Sequence, residues 1–178
     1  MKNFDCKKLL TLCTILLLAC TGNPSKEEKV EYITDVQTVM NNWHNAAAEA
    51  DFDRYFGYFA DSTSIFMGTD ATERWTVSEF KAYSKPFFDR GKAWSFTPVS
   101  RHVNISKNGK TAWFDEELST PNLGPSRGTG VLVLVNNEWK IVHYNLTVPI
   151  PNPIMDDVKN QIEEELKNNE KFKIKDRY

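Results

Sequence analysis

Two residues that lie in strand-like runs of this sequence have side chains suited to proton transfer. His143 lies in the run 139–148, which is rich in aromatic and β-branched residues, and imidazole titrates near neutral pH. Asp115 lies in a second such run, 110–120, and offers a carboxylate as an alternative base. Either group would abstract a proton next to a carbonyl. For His143 the competing interpretation is a strand residue that packs its ring and makes one hydrogen bond.

Arg101 occupies a third run, 94–106, on the more apolar of its two faces. A guanidinium among buried residues needs a carboxylate partner, and successive side chains of a strand point to opposite faces. Asp115 and Glu117 share one face of the neighbouring strand with Trp113, so we expect Arg101 to pair with one of these carboxylates in or near a pocket. The alternative is a solvent-facing ion pair of little energy.

The other two histidines are expected to have structural roles. His44 follows Trp43 in an amphipathic pattern and is interpreted as a packing or boundary residue, whereas His102 lies on a polar strand face and should be exposed. None of the three histidines has another four residues away or an acidic motif nearby, which is the spacing of common metal sites. We expect no metal ion and no cofactor.

Glu73 and Arg74 precede a helix start and allow two interpretations. They could lie at the mouth of a pocket, or they could form an ion pair beside Trp75, which would then act as a hydrophobic staple. The helix start itself is predicted by a capping box, in which Thr76 and Glu79 satisfy reciprocal amide donors. A helix entry favours the structural interpretation of the pair.

The N-terminus has the pattern of an export signal. It combines a basic leader, Lys2, Lys7 and Lys8, with an apolar core at 9–19 that is too short to span a bilayer, and Cys20 follows a small residue. This pattern resembles the lipobox of bacterial lipoprotein signals. The resemblance implies cleavage before Cys20, acylation of its thiol, and anchoring in the cell envelope, on the periplasmic or the outer side. The alternative is an ordinary secretory signal.

Such a cleavage would also determine the cysteine chemistry. Cys6 and Cys13 would leave with the leader and Cys20 would carry the lipid, so the mature chain would have no disulfide, thiolate metal site or cysteine nucleophile. The formal net charge is −2, and no Arg/Lys cluster is interleaved with aromatic residues. Nucleic acid is therefore not an expected partner.

The order of the predicted elements indicates one α+β domain. The predicted segments are a signal peptide at 1–19, a flexible tether at 20–29, the domain at 30–155, and a charged C-terminal helix and tail at 156–178. Three helical patterns and a short strand precede four strand-like runs. Asn108-Gly109 is a strong hairpin signal, because both turn positions would need positive φ, and Asn136-Asn137 is a weaker one. This order gives helices packed on one face of a curved antiparallel sheet.

Seven short segments of the domain resemble one known family. They are WHNAAAEAD at 43–51, GTDATERW at 68–75, FTP at 96–98, AWFDE at 112–116, RGTGVL at 127–132, YNL at 144–146 and PIPN at 149–152. Together they resemble the SnoaL-like branch of the nuclear transport factor 2-like (NTF2-like) superfamily, over roughly residues 34–155. The resemblance implies a cone of three N-terminal helices on a strongly curved antiparallel sheet. It also implies a homodimer through the exposed face of the sheet.

In such a cone one face of the sheet lines a pocket for a ligand. Besides the catalytic candidates Asp115 and His143, we expect the pocket to be lined by Arg101, Trp113, Glu117, Tyr144 and Asn145. The superfamily includes isomerases, cyclases, dehydratases and proteins without catalysis, so the fold does not determine the activity.

Three functions follow from these expectations. The favoured hypothesis is an envelope lipoprotein that binds a small apolar or aromatic molecule. One alternative is a cofactor-independent isomerase, cyclase or dehydratase, in which Arg101 or Tyr144 would stabilise an enolate oxygen. The other is a non-catalytic envelope scaffold.

Overall fold

A computed structural model describes residues 23–168 of the 178-residue chain. Its elements in chain order are α1 (Lys26–Ala48), α2 (Phe52–Gly57), β1 (Ile65–Met67), β2 (Arg74–Thr76), α3 (Val77–Asp89), β3 (Thr97–Ile105), β4 (Thr111–Thr120), β5 (Gly124–Val135), β6 (Glu138–Thr147), a 3₁₀ turn (Asn152–Ile154) and α4 (Met155–Asn168). The predicted signal peptide, Cys20 and the last ten residues of the predicted tail lie outside the described residues. The predicted α+β class is confirmed.

The six strands form one curved sheet in the order β2-β1-β6-β5-β4-β3. Strands β3 to β6 are the predicted antiparallel meander, since each pairs with the next along the chain. One pairing departs from the antiparallel pattern, because β1 lies parallel to β6. The first three helices pack on one face of the sheet, as the resemblance implied.

Reciprocal caps determine where two of the helices begin. The Ser25 hydroxyl accepts a hydrogen bond from the Glu28 amide and the Glu28 carboxylate accepts one from the Ser25 amide, so α1 begins at the next residue. The predicted tether at 20–29 is therefore wrong in its last four residues, because a capped charged stretch extends the helix without apolar contacts. Thr76 and Glu79 form the same pair at the start of α3, which confirms that prediction.

The weaker of the two predicted hairpin signals, Asn136-Asn137, is the one that forms a tight turn with positive φ at both residues. Asn136 and Asn137 both have positive φ, 50° and 64°, and join β5 to β6 in a two-residue turn. In the β3–β4 connection only Gly109 has positive φ, at 70°. The Asn108 side-chain oxygen accepts a hydrogen bond from the Lys110 amide at 3.1 Å and so closes a longer loop. The expectation that both residues at 108–109 need positive φ is therefore wrong.

Two strand boundaries also differ from the prediction. Residues 74–76 form the edge strand β2, where the sequence indicates only the approach to α3. Strand β5 begins at Gly124 rather than at Thr129, because residues 124–128 pair with the end of β4. At 124–128, which contains two glycines and a proline, pairing with a neighbouring strand outweighs weak local β propensity.

Aromatic residues from the helices and the inner face of the sheet form most of the core. Trp43 of α1 is 2% exposed and stacks on Tyr55 of α2 with ring centroids 5.0 Å apart. Phe80 of α3 stacks on Phe66 of β1 at 3.9 Å and 7°. The helices and the sheet thus share a single aromatic interior, which explains the many Phe and Trp residues of the sequence.

Helix α4 follows the last strand and contributes no buried side chain. Its apolar residues Val158, Ile162 and Leu166 recur every four residues, as the sequence predicts for a charged helix with one apolar stripe. Between residues 23 and 168, no helix has the length and apolar character needed to cross a membrane.

Candidate functional site

An open groove of about 180 Å³ lies between α3, the short strands β1 and β2, and the loop that precedes β3. Seven of its twelve lining residues are aromatic: Phe66, Trp75, Phe80, Tyr83, Phe87, Trp94 and Phe96. The other lining residues include Leu146 of β6 and Leu123 of the β4–β5 turn. Such a lining suits a flat, largely apolar molecule.

Ring stacking holds the aromatic walls of the groove in place. The Trp75 and Tyr83 rings stack at 4.7 Å and 24°, and the Phe80 and Trp94 rings stack at 5.6 Å and 29°. Tyr83 and Phe80 lie three residues apart on α3, so they project from the same face of that helix. The capping box fixes the start of α3 directly after β2 and therefore fixes Trp75 against this face.

Glu73 is the only charged residue among those that line the groove. Its Oε2 accepts a hydrogen bond from the Asp70 amide at 3.2 Å. A Cβ atom at Gly68 would lie 2.1 Å from the same oxygen, so the carboxylate occupies space that only glycine leaves open. Partial burial raises the pKa of the Tyr83 phenol, and the negative charge of Glu73 raises it further. The sequence allowed Glu73 either a place at the mouth of a pocket or an ion pair with Arg74. Its position in the lining of the groove agrees with the first of these.

A fully buried carboxylate, Glu116 of β4, lies behind the groove. Its Oε2 accepts a hydrogen bond from Arg101 Nε at 2.8 Å and lies 2.7 Å from Nη2. Its Oε1 accepts one from the Tyr144 hydroxyl at 3.0 Å and lies 2.9 Å from His44 Nε2. Asn41 of α1 accepts a further hydrogen bond from Arg101 Nη1 at 2.9 Å. We call Glu116, Arg101, His44 and Tyr144 the buried polar cluster.

Electrostatics determine the protonation states of Glu116 and Tyr144 near neutral pH. Burial by itself raises the pKa of Glu116, but hydrogen bonds and charges from His44 and Arg101 outweigh burial and leave this pKa below its ordinary value. Burial, reinforced by the Glu116 carboxylate, raises the pKa of Tyr144 well above its ordinary value. Glu116 is therefore an ionised acceptor and Tyr144 a neutral donor.

Glycine on strand β5 makes room for the cluster. A Cβ atom at Gly128 would lie 2.4 Å from the Tyr144 hydroxyl oxygen and 2.6 Å from Glu116 Oε1. Contacts this short force atoms to move, so a side chain at this position would displace the hydrogen bond between Tyr144 and Glu116. The Tyr144 ring also stacks on Phe66 at 5.7 Å, and the cluster thereby supports one wall of the groove.

The predicted partner of Arg101 is wrong. Asp115 and Glu117 are exposed on the outer face of β4 together with Trp113, whereas Glu116 faces the core. The expected positions of Asp115, Trp113 and Glu117 in the pocket are therefore also wrong. A turn at Asn108-Gly109 places Arg101 directly opposite Glu116, and the structure has this register. Residues directly opposite in a pair of strands share a face, so this signal was present in the sequence.

A β-bulge interrupts the alternation of inward and outward side chains along β6. Val131 pairs with His143 and Leu132 pairs with Ile141, so Val142 is an extra residue. Beyond the bulge, Tyr144 points into the core while His143 and Asn145 lie on the outer side of the sheet, so the expected pocket positions of His143 and Asn145 are wrong.

His143 is half-buried on that outer side. Burial and the nearby positive charge of Arg74 lower the pKa of its imidazole. Of the residues expected to line a pocket, Arg101 and Tyr144 are buried in the cluster behind the groove wall.

The outer face of the sheet carries both polar and apolar residues. Trp113 is exposed there, and it pairs across the sheet with Val131 and Asn104. The homodimer through this face stays a prediction. Within the described part of the chain, no group of three or more His, Cys, Asp or Glu residues is placed to hold a metal ion.

Solved structures with the same architecture define the fold class. An NTF2-like protein of unknown function from Pseudomonas putida KT2440 matches with a TM-score of 0.56 and 12% identity, over 72% of this chain and 91% of its own. A protein from Novosphingobium aromaticivorans, provisionally named an aromatic ring hydroxylase, matches with a TM-score of 0.57 and 14% identity, over 68% and 92%. A provisionally named dehydratase of the NTF2-like family from Streptomyces avermitilis matches with a TM-score of 0.55 and 13% identity, over 69% and 99%. This protein therefore has an NTF2-like fold.

The family follows from the sequence within that fold class. The family model described as SnoaL-like domain matches residues 36–151. The chain belongs to the SnoaL-like domain family, as the seven segments predicted. No curated protein sequence matches it.

Proposed function

We propose that this protein binds a small, flat and largely apolar molecule in the aromatic groove. The observation that carries the proposal is the lining of the groove, which consists of seven aromatic residues, a single carboxylate and four uncharged residues. Stacking on several rings provides affinity without exact shape complementarity, while one polar group orients the ligand. A scaffold without a ligand would not need aromatic side chains left uncovered: Tyr83 is exposed, and Trp75 and Phe87 are only partly buried.

The competing function is catalysis, and two of the similar folds carry provisional enzyme names. A base for proton abstraction needs a free lone pair directed at the substrate. Glu116 uses both carboxylate oxygens within the buried polar cluster, and none of its four residues lines the groove. This arrangement supports a structural role for the cluster rather than a catalytic one.

The test of binding compares two tryptophans on opposite sides of the sheet. We expect Trp75→Ala to weaken binding of 2-naphthol or 3-methylindole about tenfold, because it removes one wall of the groove. Isothermal titration calorimetry of the purified protein measures this change. Trp113→Ala is the matched control, since Trp113 is exposed on the outer face, and it should leave the affinity unchanged. An equal loss in both variants, or no heat of binding in the wild type, would contradict the proposal.

We also propose that the protein is anchored to the cell envelope through an acylated Cys20. The support is the sequence pattern described above together with the position of the first helix. Because α1 begins at Lys26, a fully extended chain from Cys20 would hold the domain within about 20 Å of the lipid surface. The groove would thus be presented close to a membrane.

The anchor is tested by fractionation of cells that express cysteine variants. Cys20→Ser should move the protein from the membrane pellet to the soluble fraction, because the lipid attachment is lost. Cys13→Ser should leave it in the membrane, since that residue belongs to the predicted leader. Retention of the Cys20→Ser variant in the pellet would contradict the anchor.

A further inference from the structure

We infer that the groove selects a flat aromatic ligand that carries a positively charged amine, and that Glu73 holds the amine between the groove and solvent. This inference rests on the proposed function, because it specifies the ligand class of the same groove. It assigns Glu73 as the residue that determines specificity.

The Glu73 carboxylate is fixed in position at the groove wall. The main-chain oxygen of Glu73 accepts a hydrogen bond from the Gly68 amide at 2.9 Å, and the Glu73 carboxylate accepts one from the Asp70 amide. Gly68 lines the groove as well, and the side chain of Glu73 lies directly over it. The first hydrogen bond holds the main chain of Glu73 and the second holds its carboxylate, and a side chain that is already oriented loses less conformational freedom when a ligand binds.

Aromatic rings next to this carboxylate provide a second attraction for a cation. The Trp75–Tyr83 stack forms the adjacent wall, and the charge of Glu73 reaches the Tyr83 phenol. The faces of Trp and Tyr rings attract ammonium groups, more strongly when both are partly desolvated. Elsewhere on α3 this protein already places cations over rings, for example Lys85 over Phe52 at 5.4 Å from the ring centroid.

The distribution of charge around the groove disfavours an anionic ligand. Glu73 is the sole charged lining residue, so a carboxylate in the ligand would meet like charge at close range. The nearest cation attached to a lining ring is Arg90, whose guanidinium carbon lies 4.9 Å from the Phe87 centroid. Arg90 does not line the groove itself. If its positive charge nevertheless dominated, an anionic ligand would bind best, and the experiment below tests this alternative.

Three indoles of similar shape test the charge preference by calorimetry at pH 7. They are tryptamine, which is cationic, 3-methylindole, which is neutral, and indole-3-propionate, which is anionic. We expect the wild type to bind tryptamine at least tenfold more tightly than indole-3-propionate, with 3-methylindole between them. Glu73→Gln should reduce this ratio to about threefold or less, while it keeps the affinity for 3-methylindole.

Two further variants separate charge from position. Gly68→Ala keeps the charge of Glu73 but places a Cβ where its carboxylate now lies, so it should also reduce the preference for tryptamine. Glu117→Gln removes an exposed charge on the outer face of the sheet and should leave the preference unchanged.

The outcomes distinguish this inference from the proposed function. If no indole binds the wild type, both are overturned. If all three indoles bind equally, or indole-3-propionate binds best because Arg90 dominates, the ligand class is wrong while the groove remains a binding site. A preference for tryptamine that survives Glu73→Gln would overturn the role of Glu73.

Discussion

Replacing Glu116 with alanine is expected to lower the free energy of unfolding by about 3–5 kcal/mol. The substitution leaves the Arg101 guanidinium, whose side chain is 5% exposed, without its carboxylate partner. It also removes the acceptor of the Tyr144 hydroxyl and the contact with His44 Nε2. A buried charge without a partner costs far more than an exposed ion pair contributes. Urea unfolding followed by circular dichroism measures the loss.

The neighbouring residue on β4 provides the matched control. Glu117 is exposed and accepts a hydrogen bond from the Ser100 hydroxyl at 3.2 Å, so Glu117→Ala should change stability by about 0.5 kcal/mol or less. A double variant, Arg101→Met with Glu116→Leu, should recover much of the loss because it removes both charges together. Equal destabilisation by Glu116→Ala and Glu117→Ala would contradict the role of the cluster.

The pH dependence of stability gives a second readout of the same carboxylate. The folded state lowers the pKa of Glu116, so its stabilising contribution is complete above the unfolded glutamate pKa of about 4.3. That contribution is lost as the pH falls through the lower folded value. The stability difference between the wild type and Glu116→Gln should therefore be largest near neutral pH and shrink as the pH falls below about 4.3. A constant difference would contradict this assignment.

Arg101 shows both what the sequence could predict about the cluster and where the prediction stopped. Its apolar strand face correctly indicated a buried guanidinium that needs a carboxylate. The same criterion applied to β4 selects Glu116, since its face is shared with Ala112 and Phe114, which are buried. The prediction assigned the wrong face because it took its candidates from the neighbouring strand without using the register set by the hairpin.

Other parts of the site had no usable signal. The bulge at Val142 exchanges the faces of His143 and Tyr144, and one extra residue leaves no trace in an alternating pattern. Glu73 belongs to a segment without periodicity, and only the packing of α3 against the edge of the sheet places it among the aromatic residues of the groove. The helices and the meander depend on local patterns and could be predicted, whereas the groove depends on tertiary packing.

The second large effect is expected at Trp43, where alanine should lower the free energy of unfolding by about 3–5 kcal/mol. Trp43 packs edge-on against Tyr144 at 4.6 Å and stacks on Tyr55, so its removal leaves a cavity at the centre of the aromatic interior. The rigid rings around it cannot close this space without losing their own contacts. Chemical denaturation of the purified protein, compared with the wild type, provides the measurement.

Phenylalanine at the same position tests whether packing is the cause. Among the described residues, the buried indole nitrogen of Trp43 has no hydrogen-bond partner, so Trp43→Phe loses part of the ring but no hydrogen bond and should cost clearly less than Trp43→Ala. Because Tyr144 contacts both Trp43 and Glu116, Trp43→Ala combined with Tyr144→Phe should deviate from additivity. Additive losses would show that the aromatic interior and the buried polar cluster stabilise the domain independently, and that Trp43 does not position the Tyr144 hydroxyl.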